Sequence, residues 1–345
     1  MNKVYNFHID LNWKLITLIS KIDRFDASWS SIEKREGQSL KQLKAIATVR
    51  SVGASTRIEG SLMSDEEVDV LLNKLDIEKL EERDAQEVAG YFEALDLIAD
   101  SFKDIPVSES ALKNLHKILL QYSSKDEWHR GGYKQHENSV EATLPDGTKQ
   151  IIFRTTPPGY ATNDSMQALI EWYANDNETH SLVKCAIFTY EFLSIHPFQD
   201  GNGRLSRLIS ILLLLKNGYA WVEYISLEHE IESRKDEYYR ELRHCQAQRP
   251  NENVSTWIQF FLDALGNIQQ LLLTKLETQG TQISLSPREK SVLTFIGHHP
   301  GSRSGEIAKK LNIPNPTVKR MLSELVEKGL LEKYGSGPGT NYSIS

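Results

Sequence analysis

Residues 196–207 read His-Pro-Phe-Gln-Asp-Gly-Asn-Gly-Arg-Leu-Ser-Arg and lie between two apolar segments of helical length, 182–193 and 205–215. No other stretch constrains the chain as strongly. Both flanking segments are hydrophobic nearly all round, the pattern of helices buried on every side. A loop joining two buried helices does not need His, Asp, Asn and two Arg for packing, but an anion site does. Gly201 and Gly203 can adopt backbone angles that turn successive N–H groups toward one point. A helix starting near Gly203 adds its positive N-terminal end, which favours phosphate. Arg204 and Arg207 stand three apart, on one side of a first helical turn, and can reach the same anion. Asp200 is an oxygen ligand suited to the Mg2+ that accompanies a nucleotide polyphosphate. His196 titrates near neutrality and can take a proton from an attacking hydroxyl. Pro197 fixes the approach and Phe198 anchors the loop. The bland alternative, a capped loop with solvated arginines, leaves the one-sided arrangement unexplained.

The stretch resembles the signature of the Fic family, H-P-F-x-[D/E]-G-N-G-R-x-x-R, at every specified position. The resemblance implies transfer of AMP from ATP to a Ser, Thr or Tyr hydroxyl of a protein. It implies His196 as general base, Asp200 as the Mg2+ ligand, and Gly201, Asn202 and Gly203 as the phosphate cradle. Arg204 would then hold α/β-phosphate oxygens and Arg207 the γ-phosphate. The motif specifies a phosphate site but not which bond breaks, so another phosphate-containing donor, or de-AMPylation, remains an alternative.

A second stretch, Ser55-Thr56-Arg57-Ile58-Glu59-Gly60, ends a helical pattern running from Leu40 through Leu43, Ile46, Ala47 and Val49. Gly60 reads as a C-cap glycine, and Ser64 to Glu67 as the capping box of the next helix. Glu59 thus sits at a helix C-terminus, where the dipole disfavours a carboxylate. Either a cation holds it or it is an unpaired surface residue. The segment resembles the inhibitory-helix motif of the Fic family, [S/T]-x-x-x-E-[G/N], in the version placed N-terminal to the catalytic core. What that implies is a switch in which Glu59, with Ser55 as the motif's hydroxyl, pairs with Arg207 and takes the place of the γ-phosphate. The physics is coherent, because one guanidinium cannot grip a carboxylate and a phosphate bidentately at once.

The 345 residues suffice for two or three domains, and 39% hydrophobic with 25% charged residues is the balance of a soluble globular chain. The longest apolar run, 208–215, is too short to span a bilayer, and the start lacks a signal-peptide pattern, so a cytoplasmic location without membrane attachment is expected. The two cysteines, Cys185 and Cys245, form neither a metal pattern nor a disulfide framework. Net charge is −7, unevenly spread. Residues 285–345 carry nine Lys/Arg against five Glu, a net of +4, which leaves −11 to the rest.

Helical periodicity predicts helices over 10–28 (Asp10 as N-cap), 64–75, 80–100, 108–120 after a Ser108 cap, 231–243 and 254–276. Around 140–153 the period changes, and Leu144-Pro145-Asp146-Gly147-Thr148 reads as a hairpin turn. A lone hairpin in a helical chain is a decorative insertion or a docking edge. In proteins similar to this one, a hairpin here, closed by Pro157-Pro158, is the flap that aligns the target segment by strand addition. The family often has Arg in this region, where Lys134 stands nearest. Tyr238 and Tyr239 lie on a helix that resembles the family's adenine-walling Tyr-x-x-x-Leu segment, and are equally readable as core aromatics. Helices over 287–298, 304–311 and 316–328, then short strands around 330–334 and 342–344 with a glycine-rich turn, match the layout of a winged helix-turn-helix. Asn315, Thr317, Lys319 and Arg320 are candidate DNA contacts; the alternative is a protein-docking or dimerisation wing.

The expected fold is mainly α: a Fic-type helical core with a β-hairpin flap, plus a small winged helix-turn-helix domain. The expected division is an N-terminal helical region at 1–105 with its inhibitory helix at about 40–60, a Fic core at 106–276, a linker at 277–286 and the winged helix at 287–345. The expected activity is autoinhibited protein adenylylation with ATP and Mg2+, the partner being a protein hydroxyl that can belong to the chain itself. A homodimer is compatible with the resemblance. The rival from another class is a transcriptional regulator that binds nucleotide only as a signal. A toxin dependent on a separate antitoxin is disfavoured, because the chain carries its own inhibitory motif.

Overall fold

The structure is a computed structural model, and it describes residues 7–73, 80, 82–143, 149–281, 286–327, 331–335 and 340–344. It divides into two compact units, Met1–Thr274 and Lys275–Ser345. Helices dominate both, and none among the described residues is long and apolar enough to cross a membrane.

The first unit opens with α1 (Trp13–Arg35) and α2 (Gly37–Ile58). The N-cap of α1 is Asn12, whose side chain accepts from the Leu15 N–H, and not Asp10 as the periodicity suggested. Asp10 is engaged elsewhere: its carboxylate accepts from Asn253 Nδ2 at 2.7 Å and its N–H donates to Ser255 Oγ. The helix also runs past residue 28, because Trp29 continues the buried stripe of Leu15, Ile22 and Phe25. The C-terminal half of α2 is buried almost all round, which its small residues at 51–56 permit. Glu59 is its C-cap, and Gly60 follows at φ 108°, a left-handed angle that a side chain would resist.

Next come α3 (Asp65–Asn73), α4 (Arg83–Ser101) and α5 (Glu109–Leu119). The Ser64–Glu67 capping box forms as read, with Glu67 N–H to Ser64 Oγ at 3.2 Å and Ser64 N–H to Glu67 Oε2 at 2.8 Å. Ser108 caps α5 by accepting from Ala111 N–H. Strands β1 (Ser139–Thr143) and β2 (Lys149–Arg154) pair antiparallel, Ser139 opposite Arg154 and Thr143 opposite Lys149. The turn at 144–148 lies outside the described residues. Helix α6 (Tyr160–Asn175), which the periodicity did not mark, leads to α7 (Ser181–Ile195) and α8 (Asn202–Lys216). These two are the centre of the unit: from Leu182 to Ile195 only Lys184 escapes burial, and α8 is buried from Arg204 to Leu215.

The helix expected over 231–243 is two, α9 (Leu227–Ser233) and α10 (Lys235–Gln246), broken at Arg234 with φ −117° and ψ 30°. Helix α11 (Ser255–Thr281) buries Trp257, Phe261, Leu265 and Ile268. The first residues of the expected linker are therefore helical, and 282–285 lie outside the described residues.

The second unit contains α12 (Pro287–His298), α13 (Ser304–Leu311), α14 (Asn315–Glu327), β3 (Leu331–Tyr334) and β4 (Asn341–Ile344). Ser286 and Glu289 form a capping box at the start of α12. Strands β3 and β4 pair antiparallel, Leu331 opposite Ile344. Three helices and a two-stranded wing close on Val292, Ile296, Ile307, Val318, Leu322, Leu325 and Leu331, the layout of a winged helix. Most of its glycine-rich turn, 336–339, is outside the described residues.

Helix α4 meets α5 through Gly90, where an added Cβ would stand 2.2 Å from the Leu119 carbonyl oxygen. Alanine in a helix interior is normally favoured over glycine by about 1 kcal/mol, but overpacking costs about 1–3 kcal/mol. Gly90→Ala is expected to lower the thermal unfolding midpoint. An unchanged or raised midpoint would show that α5 can move aside.

Candidate active site

Helix α7 ends at Ile195, and His196 caps it in a left-handed conformation, φ 52° and ψ 62°. A non-glycine residue at such angles carries strain that the packing around it must override. The ring is fixed by Nδ1, 3.3 Å from the Leu193 carbonyl oxygen. A carbonyl can only accept, so Nδ1 carries the hydrogen and Nε2 is the basic nitrogen. Burial, and then the Lys134 charge, push the imidazole pKa down to about 4 against the opposing pull of Glu59 and Asp200. At neutral pH His196 is an uncharged base.

The loop after it is stiffened from inside. Asn202 Oδ1 accepts from the Phe198 N–H at 2.9 Å while its Nδ2 donates to the Phe198 carbonyl at 2.8 Å. The Asn202 side chain is thus committed to the loop, and what it can offer an anion is its backbone N–H. Gly201 takes φ 79° and donates its N–H to Asp200 Oδ1 at 2.6 Å. The first helical bond of α8 is Leu205 N–H to Gly201 O, so the N–H groups of 202–204 have no helical acceptor. Burial would raise the Asp200 carboxyl, but Arg204 and the Gly201 N–H outweigh it and hold the pKa below the usual range.

A residue outside the motif supports this loop. Gly131 N–H donates to His116 Nδ1 at 2.9 Å, which leaves Nε2–H to donate to the Asp200 carbonyl at 3.0 Å. The His116 ring stacks on Phe198 at 3.8 Å, and burial pushes its pKa down to about 4. Sequence reasoning missed it; the available signal was a histidine among Leu112, Leu115 and Leu119 on the buried face of α5.

The two arginines separate. Arg207, 2% exposed, donates Nε to Ser55 Oγ at 2.8 Å and Nη2 to both Ser55 O at 2.9 Å and Glu59 Oε1 at 2.7 Å. Its Nη1 is buried and has no hydrogen-bond partner among the described residues. Arg204, equally buried, turns to Glu87 Oε2 at 3.2 Å and Asp200 Oδ1 at 3.5 Å. The two guanidiniums thus hold different side chains, Arg204 the buried Glu87 of α4 and Arg207 Glu59, while both act electrostatically on Glu59. Burial would raise the Glu59 carboxyl, but Arg207 and then Arg204 hold it below the usual range. An added Cβ on Gly203 would lie 2.3 Å from Glu59 Oε1, so the carboxylate rests directly on the first turn of α8.

His196, residues 199–203, Arg207 and Glu59 line a cavity of about 260 Å³, below the roughly 300–1,000 Å³ of ordinary ligand pockets; Arg204 and His116 lie behind that lining. Leu193, Tyr239, Leu242, Arg243 and Gln246 complete its lining. Tyr238 also lines it, but is 3% exposed and packs edge-on against Trp257 and Phe260, so it belongs to the core as well. Tyr239 is less buried and carries the Arg243 guanidinium 5.3 Å from its ring centre. Both cysteines are free and buried, and burial pushes the Cys185 thiol up to about 12, so neither is a nucleophile. In the second unit Asn315, Lys319 and Arg320 are exposed and Thr317 half-buried on α14, whose other face holds Val318, Met321 and Leu322 in the core.

Residues 106–214 match the Fic/DOC family and residues 283–339 the MarR family. A protein adenylyltransferase Fic from Drosophila virilis is 22% identical over 318 residues, covering 87% of this chain and 60% of the relative. A probable protein adenylyltransferase from Aquifex aeolicus is 31% identical over 80 residues, 23% of this chain and 25% of its own length. The chain thus spans about three-fifths of the fly relative it matches. Among solved structures, a Fic family protein from Desulfovibrio desulfuricans superposes with a TM-score of 0.73 at 24% identity, covering 99% of this chain and 98% of the other. Fic-1 from C. elegans, in a fragment, gives a TM-score of 0.58 at 18% identity, covering 77% of this chain and 72% of the other. The family matches thus fall where the motif loop and the wing fall: the chain carries a Fic/DOC-family domain and a MarR-family winged helix.

Proposed function

We propose that the chain is an autoinhibited protein adenylyltransferase, moving AMP from ATP to a Ser, Thr or Tyr hydroxyl of a protein. One observation carries the reading. A neutral His196 and the first turn of α8 share a cavity in which a carboxylate, Glu59, already occupies the anion position on Arg207. The names of the relatives agree with it.

In this reading the N–H groups at the start of α8 and the Arg204 and Arg207 guanidiniums take up phosphate oxygens. His196 Nε2 accepts the proton of the attacking hydroxyl. The hydroxyl oxygen bonds to the α-phosphorus, and the bond from that phosphorus to the α–β bridging oxygen breaks, releasing pyrophosphate. Tyr239 offers a ring face for the base. The edge of the β1–β2 hairpin aligns the target segment by strand addition. Asp200 fits a Mg2+ ligand, since its ionised carboxylate is part-exposed and only Oδ1 is engaged among the described residues. Such an ion supplies neutralisation of charge on the phosphates. Glu59 inhibits by holding Arg207 and covering the cradle.

The test is intact mass of wild type, Glu59→Gly and Glu59→Gly/His196→Ala after incubation with ATP and Mg2+. An AMP-sized gain is expected in the Glu59 single variant alone. With ATP labelled on the adenosine or on the γ-phosphate, only the adenosine label should reach protein; the reverse pattern would mean a different bond is broken.

The Glu59 pairing also has a pH signature. The folded-state pKa of Glu59 is depressed, so its contribution to stability is present above the ordinary carboxylate value of 4.5 and is lost as pH falls through the depressed value. Glu59→Gln is expected to be less stable than wild type by roughly 2 kcal/mol near neutrality, with the gap closing as pH falls below 4.5 and on through the depressed value. Thermal midpoints measured across that range decide it; a gap independent of pH would mean the carboxylate is not what Arg207 recognises.

The exposed Lys319 and Arg320 on α14 favour a second reading for the other unit, contact with DNA. If the whole chain were only a nucleotide-sensing regulator, Glu59→Gly would bind DNA and ATP without any mass gain.

A further inference from the structure

Lys134 sits in irregular backbone ahead of β1 and is 2% exposed. Its Nζ donates to Thr155 Oγ1 at 2.8 Å, Asn138 Oδ1 at 2.9 Å and the Ile195 carbonyl at 3.1 Å. An ammonium has three protons, and these acceptors use all of them. None is a carboxylate. A cation buried among neutral acceptors is costly, and burial draws its pKa down to about 8, which still leaves it charged at neutrality. An uncharged side chain could fill the same space without that cost.

The three acceptors come from three separate places. Asn138 immediately precedes β1, Thr155 immediately follows β2, and Ile195 is the last residue of α7, next to His196. Neighbouring bonds repeat the connection. Lys134 N–H donates to Pro197 O at 2.8 Å, Asn138 Nδ2 donates to Phe198 O at 2.9 Å, and the Thr155 hydroxyl donates to Asn138 O at 2.8 Å. Both roots of the hairpin and the loop bearing the base therefore meet at one ammonium.

We infer that Lys134 is a positioning residue, whose ammonium locks both roots of the β1–β2 hairpin to the end of α7 and so fixes the hairpin edge relative to His196, with its charge beside the imidazole. The inference rests on the reading of His196 as base and of the hairpin as docking edge. The charge matters because of what else faces His196. Glu59 at the end of α2 and Asp200 in the same loop both favour its protonation, and Lys134 opposes them. Arg207, Tyr238, Tyr239 and Arg243 line the same cavity.

The experiment compares full-length wild type, Lys134→Met and Lys134→Arg without nucleotide or Mg2+. It reads amide exchange over 139–143 and 149–154, and the NMR titration of the His196 imidazole, assigned by its loss in His196→Ala. In Lys134→Met, hairpin exchange should quicken by about tenfold while α7 and α8 stay protected. The His196 midpoint should rise from about 4 by about half a unit or more. Lys134→Arg should keep that midpoint near the wild-type value. Loss of protection throughout the unit, unchanged hairpin exchange, or an unmoved midpoint would each overturn the assignment. Neither readout needs catalysis, so failure of adenylylation would count against the proposed activity and leave this result to stand or fall separately.

Discussion

A guanidinium buried to 2% exposure has to be met by acceptors, and at Arg207 those acceptors come from the end of one helix. Ser55 Oγ, Ser55 O and the Glu59 carboxylate all belong to the last turn and cap of α2. A helix C-terminus exposes unpaired carbonyls and the negative end of its dipole. Arg207 sits on the first turns of α8, near the positive end of that helix. Two helix ends of opposite polarity thus converge, with the cation and the carboxylate between them. Glu59 is disfavoured by the dipole of its own helix and favoured by that of α8, and the second wins because Arg207 and Arg204 add to it. The apparent misplacement visible in the sequence is resolved by a partner 148 residues away.

The position of Glu59 is further secured by contacts that do not touch the cavity. Arg57 grips Glu232 through two bonds of 2.7 and 3.0 Å, and Lys235 donates to the Ile58 carbonyl at 2.7 Å. Ser51 bonds Ser226 at 2.9 Å, and Lys44 pairs with Glu223. These ties hold α2 to the segment from Glu223 to Lys235 along its length. Lifting α2 would expose Val52, Ala54 and Ile58, at about 1.5–3 kcal/mol for each larger aliphatic side chain. Rotating the Glu59 side chain, part-exposed at the helix end, leaves all of that in place. Moving the Glu59 side chain therefore uncovers far less apolar surface than moving the helix would.

Much of this could be read from residue order because it is local. The apolar segments around the motif loop, the Ser64 and Ser108 caps, the hairpin and the three helices with a wing all depend on neighbours within a few positions. The misses are long-range. Asp10 has the chemistry of an N-cap, but Asn253 takes its carboxylate and Asn12 caps instead. The pairing of Arg204 with Glu87, on another helix, cannot be read from spacing. Helix α6 buries only a narrow stripe, including Met166 and Leu169, and so has a weak period. His116 cannot be distinguished by spacing from a histidine that merely fills the core; only its two hydrogen bonds reveal its role.

The charge pattern ties these contacts into one argument. Outside residues 285–345 the chain carries a net −11, yet its cavity is built around buried cations. Unpaired, they would be prohibitively costly to bury. Arg204 is balanced by Glu87 and Asp200, and Arg207 by Glu59. Of these carboxylates only Glu59 is borne by a helix end outside the motif loop, at the entrance to the cradle of backbone N–H groups. A phosphate arriving there would replace one anion with another, so the buried guanidinium would never have to stand alone. The Glu59 carboxylate is therefore what allows Arg207 to stay buried in the fold with an anion beside it.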